Sequence, residues 1–323
     1  MKYENGAARQ IAFDAIKKAG ANDAIAHSLA EAVISAELAG SKAVGFAHLP
    51  DYLDGFAKGR IAVNAEPVAN FPAPAAIRVD ACGGIAQLAY DRVFDEIVGR
   101  AKTYGVVTLA VSNSFTVGEL GYYTRRLAER GFVALGTCNA TAQMTTLESG
   151  RAVYGTNPVS FAAPVANARP FVIDQASSAT AFVSVRKAAE AGQAIPGGWA
   201  VDEHGRPTTD ARAAINGLLL PFGGARGANI AMMMEILAAG VTGANWSMDA
   251  PHYATGSDAP GVGMFLVAVK ADVFAADFDG RLAAQMERLS QAGVRIPGSH
   301  ITVREIDVAD EVMDRVRSFG WGN

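Results

Sequence analysis

Four short segments carry residue types suited to holding an anionic group. Gly155-Thr156-Asn157-Pro158 joins a glycine, which lets backbone approach a ligand closely, to two side chains that can donate to a carboxylate or phosphate. The same residues also spell an ordinary Asn-Pro turn. Asp174-Gln175-Ala176-Ser177-Ser178 ends a predicted strand and precedes a predicted helix, where exposed N–H groups and the helix dipole attract anions. Simple N-capping by Ser177 or Ser178 is its other reading. Pro221-Phe222-Gly223-Gly224-Ala225-Arg226-Gly227 sets three glycines and one arginine at a helix start, either an anion cradle or a turn with a solvated arginine. Arg295-Ile296-Pro297-Gly298-Ser299 is a fourth, weaker candidate. Together they point to a phosphate-bearing cofactor.

Other chemistries lack their residues. No G-x-G-x-x-G follows a strand, and there is no Walker glycine loop, H-E-x-x-H or G-x-S-x-G. His27, His48, His204, His252 and His300 are too widely spaced for a local metal site. Cys82 and Cys138 are isolated, which fits a reducing compartment and two small buried thiols.

The elements that must position these loops follow from periodicity. Residues 7–40 read as two helices, the second capped by Asn22 or Asp23, and a short helix carries residues 48–53. Residues 64–74, rich in Pro and Ala, read as a connection between domains. Residues 75–80 and 85–89 alternate like strands around Gly83-Gly84, and residues 91–102 have a helical period. Strands are expected at 106–111, 132–136, 171–173 and 265–269, with helices at 121–130, 181–191, 277–292 and 307–319. The apolar run at 230–241, interrupted by Glu235, reads as a buried core helix. Strands alternating with helices indicate an α/β architecture.

The 323 residues are 50% hydrophobic and 19% charged, with 28 Lys and Arg against 32 Asp and Glu and a net charge of −4. That length suggests two domains, or one with an appendage. No basic block tracks a phosphate backbone, so nucleic acid is excluded as an expected partner. No run of 18 apolar residues occurs and the N-terminus lacks a signal-peptide pattern, so no membrane is expected and the cytoplasm is the default address.

The loops, in order, resemble the type-2 malate/lactate dehydrogenase family. The resemblance rests on Leu49-Pro50 with Tyr52, Asn113-Ser114 with Gly121-Tyr122-Tyr123, and Gly155-Thr156-Asn157-Pro158. It continues through Gly198-Trp199-Ala200-Val201-Asp202, Gly205-Arg206-Pro207-Thr208-Thr209-Asp210, Leu220-Pro221-Phe222-Gly223-Gly224 and Arg295-Ile296-Pro297-Gly298. Asp174-Gln175-Ala176-Ser177-Ser178 and Gly243-Ala244-Asn245-Trp246-Ser247 look most like its Δ1-piperideine-2-carboxylate/Δ1-pyrroline-2-carboxylate reductase branch. The resemblance implies a homodimer of the non-Rossmann, sulfolactate-dehydrogenase-like α/β fold. A central mixed-sheet cofactor domain (75–284) would bind NADH or NADPH, beside a helical, substrate-side domain (1–74 joined by 285–323). Cofactor contacts would fall on Ser114 and Thr116 in the 113–117 loop, on Asp174, Gln175 and Ala176, on Ala225 and Arg226, and from Arg295 onward. Thr156 would face the substrate.

The catalytic positions depart from that family. Where it has Ser-His-Gly-x-x-Arg, this chain has Ala43-Val44-Gly45-Phe46-Ala47-His48; the second family histidine is Thr116, and the acidic residue of the next helix is Ser184. Reducing a C=O or C=N needs a hydride, a proton and an anchor for the substrate's carboxylate. His48 is the best candidate for the proton or the anchor, since imidazole titrates near neutral pH; a packed surface histidine is the alternative. Thr116 and Glu119 are candidates to relay a proton, and Ser184 to touch substrate. The expected function is hydride transfer between a nicotinamide and a small carboxylated imino, oxo or hydroxy compound. It leans to cyclic imines, whose protonated form needs less acid help. A nucleotide-binding protein that has lost catalysis, a malate- or lactate-type dehydrogenase, and a lyase or hydrolase using the same cleft are the alternatives.

Overall fold

The computed structural model describes residues 1–298 and 305–319. Ser299 and His300, named above, lie outside the described residues, as do 320–323. A short strand β1 (Lys2–Tyr3) leads into helices α1 (Asn5–Lys18) and α2 (Asp23–Leu38), the second capped by Asn22, whose side chain accepts the Ile25 N–H at 2.9 Å. Helix α3 (Leu49–Ala57) packs with them.

The next segment departs from expectation. Residues 64–74 are not a bare connection but carry β2 (Val68–Ala73), which pairs antiparallel with β3 (Ala76–Asp80). It is an edge strand whose register shifts between Asn70 and Ala73, the setting in which a strand tolerates a proline such as Pro72. Residues 85–89 are not a strand either, because α4 (Ala86–Tyr104) begins there. All five are buried, Gln87 included, so the polar residue that suggested alternation faces the interior.

Strand β4 (Val106–Ser114), helix α5 (Gly121–Glu129), and strands β5 (Val133–Cys138), β6 (Val159–Ala163) and β7 (Phe171–Gln175) follow, then α6 (Phe182–Glu190). A small sheet of β8 (Ala200–Val201), β9 (Pro207–Thr208) and β10 (Leu218–Leu219) surrounds α7 (Ala211–Ile215). Helix α8 (Ala225–Glu235), strand β11 (Val262–Val269), α9 (Phe278–Gln291), β12 (Ile306–Asp307) and α10 (Asp310–Ser318) complete the described chain.

The main sheet has the order β2-β3-β4-β11-β5-β6-β7, antiparallel except for the β3–β4 pair, so it is mixed. Its core joins β3, β4, β5 and β11 to α4 and α5 through residues such as Val79, Tyr90, Leu109, Tyr123 and Leu266. A second core unites α1, α2, α3 and α10, and β1 pairs with β12, so both ends of the described chain meet in one helical layer.

The run at 230–241 is the clearest reversal. Helix α8 stops at Glu235 and continues as a π-type turn over 236–241. Met232, Met233, Ile236 and Val241 are 46%, 54%, 50% and 55% exposed, whereas Glu235 is 6% exposed. These four apolar residues face outward and the carboxylate inward, while Ala231, Met234, Ala238 and Ala239 are buried as expected. Cys138 is buried but Cys82 is exposed, with a positive φ of 54°. No helix among the described residues is long and apolar enough to cross a membrane.

Candidate functional site

Two groups of side chains meet around the loop 115–120 that joins β4 to α5. The first is built from α2. Its buried Glu37 accepts the Phe46 N–H at 2.8 Å, and burial raises the pKa of this carboxyl against the pull of that bond and of Lys42. Gly45 lies against the same carboxylate, where any Cβ would overlap it. The turn so fixed delivers His48 at the start of α3. Its Nδ1 lies 2.8 Å from Asp51 Oδ2 and its Nε2 3.0 Å from Thr116 Oγ1. A carboxylate only accepts, so Nδ1–H donates to Asp51 and Nε2 is the ring atom left to share a hydrogen bond with the Thr116 hydroxyl.

The loop is held as firmly as the imidazole. Tyr52 donates to the Thr116 carbonyl at 3.0 Å, and Gln87 Nε2 donates to the Tyr52 hydroxyl at 3.1 Å and to the Val117 carbonyl at 3.0 Å. Burial pushes the Tyr52 phenol up to about 12, against the pull of its bonds with Thr116 and Gln87, so it remains a donor at working pH. The rings of Tyr52 and Tyr253 meet the imidazole at centroid distances of 5.0 and 5.4 Å, and the His48 side chain is 13% exposed.

The second group lies along a cleft of about 1270 Å³ whose walls include Glu119, Arg125, Asp174, Gln175, Arg295 and Gly298. Glu119 does not qualify as a proton relay. Its side chain is 2% exposed and is clamped by both terminal nitrogens of Arg125, which also donates to Ser35 on α2 at 2.7 Å. It is a structural link between layers. Asp174 Oδ2 accepts the Gly121 N–H at 2.7 Å and so caps α5, a favourable place for negative charge. Crowding by protein and then the Glu119 carboxylate raise its pKa to about 6, against the Gly121 and Leu120 amides and Arg125.

A carboxyl raised from 3.8 to about 6 makes the folded chain bind more protons than the unfolded one between those values, so its contribution to stability falls as pH rises through that window. Asp174→Asn keeps an acceptor for Gly121 and removes the titration. Melting temperature measured from pH 4 to 7.5 is expected to lose part of its decline in the variant; superimposable slopes would refute the assignment.

The remaining expected positions scatter. Ser114 is fully buried with its hydroxyl donated to the Val262 carbonyl at 3.1 Å, so it ties β4 to β11 and has no atom for a cofactor. Thr156 is half-buried, its carbonyl accepting the Ser177 N–H at 2.8 Å. Ser184 is half-buried in the first turn of α6 and makes no bond to the His48 group. Ala176 is half-buried, while Ala225 and Arg226 stand exposed at the start of α8 and are not among the walls of the cleft. Among the described residues no group of three or more His, Cys, Asp or Glu could hold a metal. Sequence reasoning missed Asp51, although its i,i+3 spacing from His48 at a helix start was a usable signal.

A dinucleotide fits these surfaces. The cleft exceeds the roughly 300–1,000 Å³ of ordinary small-ligand pockets, and its walls include the acceptors Asp174 and Gln175 and the cation Arg295. The N-terminus of α8 has no side-chain cap, which leaves amide donors beside Arg226. A Cβ at Gly227 would sit 2.0 Å from the Phe222 carbonyl oxygen, so that turn closes only with glycine.

Residues 4–306 match the profile of a family described as malate/L-lactate dehydrogenase. The (2R)-3-sulfolactate dehydrogenase (NADP(+)) of Chromohalobacter salexigens is 35% identical over 97% of this chain and 96% of its own. The Δ1-pyrroline-2-carboxylate/Δ1-piperideine-2-carboxylate reductase of Pseudomonas syringae pv. tomato is 36% identical over 94% of this chain and 87% of its own. Among solved structures, a Δ1-piperideine-2-carboxylate reductase from that organism superposes with a TM-score of 0.93 at 32% identity, covering 99% of both chains. The sulfolactate dehydrogenase of Methanocaldococcus jannaschii, at 22% identity and a TM-score of 0.88 over 99% and 96% of the two chains, shares the fold.

Proposed function

Because the chain belongs to the malate/L-lactate dehydrogenase family of NAD(P)-dependent oxidoreductases, we propose that it reduces small cyclic 2-imino carboxylates and that His48, Asp51 and Thr116 deliver the proton. The observation that carries this reading is the continuous chain from Asp51 Oδ2 through the imidazole to Thr116 Oγ1. Ala43, Val44 and Ser184 offer no acid at the positions where the family resemblance expects a serine, a histidine and a carboxylate. The chain has assembled another from α3 and the 115–120 loop.

Asp174, Gln175, Ala176, Ala225, Arg226 and Arg295 would hold a reduced dinucleotide, whose nicotinamide would supply the hydride. The protein supplies the rest. Asp51 fixes the imidazole with Nδ1–H toward itself, and a proton on Nε2 then passes to Thr116 Oγ1 as the hydroxyl's own proton passes to the substrate. An imine nitrogen is basic and becomes strongly electrophilic when protonated, so one relay suffices. Thr156 and Ser184 are proposed to face the substrate. Steady-state assays with NADH and NADPH are expected to favour Δ1-piperideine- and Δ1-pyrroline-2-carboxylate over pyruvate and oxaloacetate. A preference for the oxo acids would overturn the reading.

The working unit is proposed to be a homodimer. Met232, Met233, Ile236 and Val241 form an exposed apolar stripe, and Trp246 lies across Gly240 with Met248 beyond it, 69% exposed. Monomers rarely leave so much contiguous apolar surface in water. Light scattering is expected to give twice the 33.6 kDa chain mass, and Met233→Glu with Ile236→Glu to halve it; a monomeric wild type would refute this. Residues 1–74 with 285–323 are proposed as the substrate-side unit and 75–284 as the cofactor unit; the helical core of α1, α2, α3 and α10 supports this division, with β2 reaching across it into the central sheet. A cytoplasmic location is supported by the two unpaired cysteines.

A further inference from the structure

One segment beside His48 has no part in the scheme above. Residues 251–260 leave the central layer and run to α3, where two anchors hold them. At the start, Thr141 Oγ1 donates to the Pro251 carbonyl at 2.7 Å. Farther on, Arg60 Nη1 donates to the Gly256 carbonyl at 3.1 Å while its Nη2 pairs with Asp54 Oδ2 at 2.6 Å. Gly256 takes a φ of 75°, which puts the carbonyl-bearing turn in the left-handed region. Between the anchors sit His252 and Tyr253, their rings stacked with centroids 4.9 Å apart, and Tyr253 turns its ring 79° to that of His48.

Arg60 is an expensive residue to keep there. Its side chain is 1% exposed and its Nε has no partner. A buried guanidinium with one N–H unpaired, matched to a half-buried carboxylate, seldom adds net stability over an apolar side chain of the same volume, so its retention points to geometry. What it fixes is the distance between α3, which carries Asp51, and the loop that carries Tyr253. Burial and then the Asp51 carboxylate raise the pKa of the Tyr253 phenol, and Arg186 on α6 lowers it.

We infer that the 251–260 loop is the specificity wall of the His48 site, with Tyr253 as the residue that bounds the substrate ring and Arg60 as the positioning residue that holds the wall against α3. The inference rests on the placement of substrate at His48 and Thr116. The ligand it selects is a small cyclic carboxylate, and the property it controls is ring size. A rigid aromatic wall discriminates by about one methylene, which is worth roughly 10–200-fold in kcat/KM.

The test is the ratio of kcat/KM for the six-membered Δ1-piperideine-2-carboxylate over the five-membered Δ1-pyrroline-2-carboxylate, with NADPH. Tyr253→Ala is expected to raise that ratio by about tenfold or more. Arg60→Met is expected to move it the same way, Arg60→Lys less, and the double variant with Tyr253→Ala no further than Tyr253→Ala alone. NADPH affinity by fluorescence titration is expected to stay constant throughout. An unchanged ratio in Tyr253→Ala overturns the wall. A lower melting temperature in Arg60→Met without a change in ratio reduces Arg60 to a structural role, and if that variant fails to accumulate, Asp54→Asn, which loosens the same guanidinium, decides instead. His48→Ala separates the two readings: if it keeps full turnover, the site is misplaced, whereas if it loses turnover and Tyr253→Ala leaves the ratio unchanged, only the wall fails.

Discussion

His48→Ala is expected to lower kcat/KM for the preferred imine by about 10²–10⁴ with NADPH affinity intact. The imidazole is the titratable group joining Asp51 to the 115–120 loop, and alanine leaves Thr116 with a hydroxyl but no proton source behind it. Asp51→Asn probes the same relay from its other end. An amide can turn its NH₂ toward Nδ1, which forces the opposite tautomer and places the Nε2 proton wrongly, so a loss of comparable order is expected. Cofactor titration distinguishes a lost relay from a lost fold. Wild-type turnover in His48→Ala would mean that solvent supplies the proton and would end the assignment.

The second large effect is on stability. Glu235 is 6% exposed and accepts the Ser247 N–H, the Ser247 hydroxyl and Asn157 Nδ2, each at 2.6 Å. Asn157 also donates to the Ala231 carbonyl at 3.1 Å and holds a φ of 33°. One carboxylate therefore ties the 155–158 loop to α8 and to the 247 segment. Glu235→Gln turns one acceptor into a donor facing donors, and Glu235→Ala leaves the Ser247 amide buried without a partner. Each is expected to cost about 3–5 kcal/mol, a fall in melting temperature on the order of 10 °C, and to raise KM by loosening Thr156. A calorimetric scan matching the wild type would show that water or a neighbour replaces the carboxylate.

The layers were legible in the sequence because they rest on local periodicity. Val106 to Val111 is an almost unbroken apolar run and forms an interior strand, and Asn22 caps α2 with its side chain. The failures share a cause, which is that burial is decided by partners far away in sequence. Gln87 reads as an outward polar residue, yet its amide bridges Tyr52 and Val117. Glu235 turns inward and Met232, Met233 and Ile236 outward, against expectation, because Asn157 and Ser247 meet the carboxylate, while Met234 stays buried. The site divides in the same way. His48 and Thr116 could be singled out one by one, while their contact spans 68 positions and no local pattern announces it. Tyr253 and Arg60 offered no signal at all, since their roles come from a loop meeting α3 across 196 positions.

The strand order also sets a schedule. β11 lies between β4 and β5, so two strands complete by residue 138 have no common neighbour until residues 262–269 arrive. During synthesis from the ribosome the apolar edges of β4 and β5 must wait for more than a hundred further residues, and a polypeptide interrupted before Val262 keeps both open. Sheets closed by such late insertions fold slowly and expose sticky intermediates. Nascent chains of this protein are therefore expected to depend on chaperones until β11 emerges.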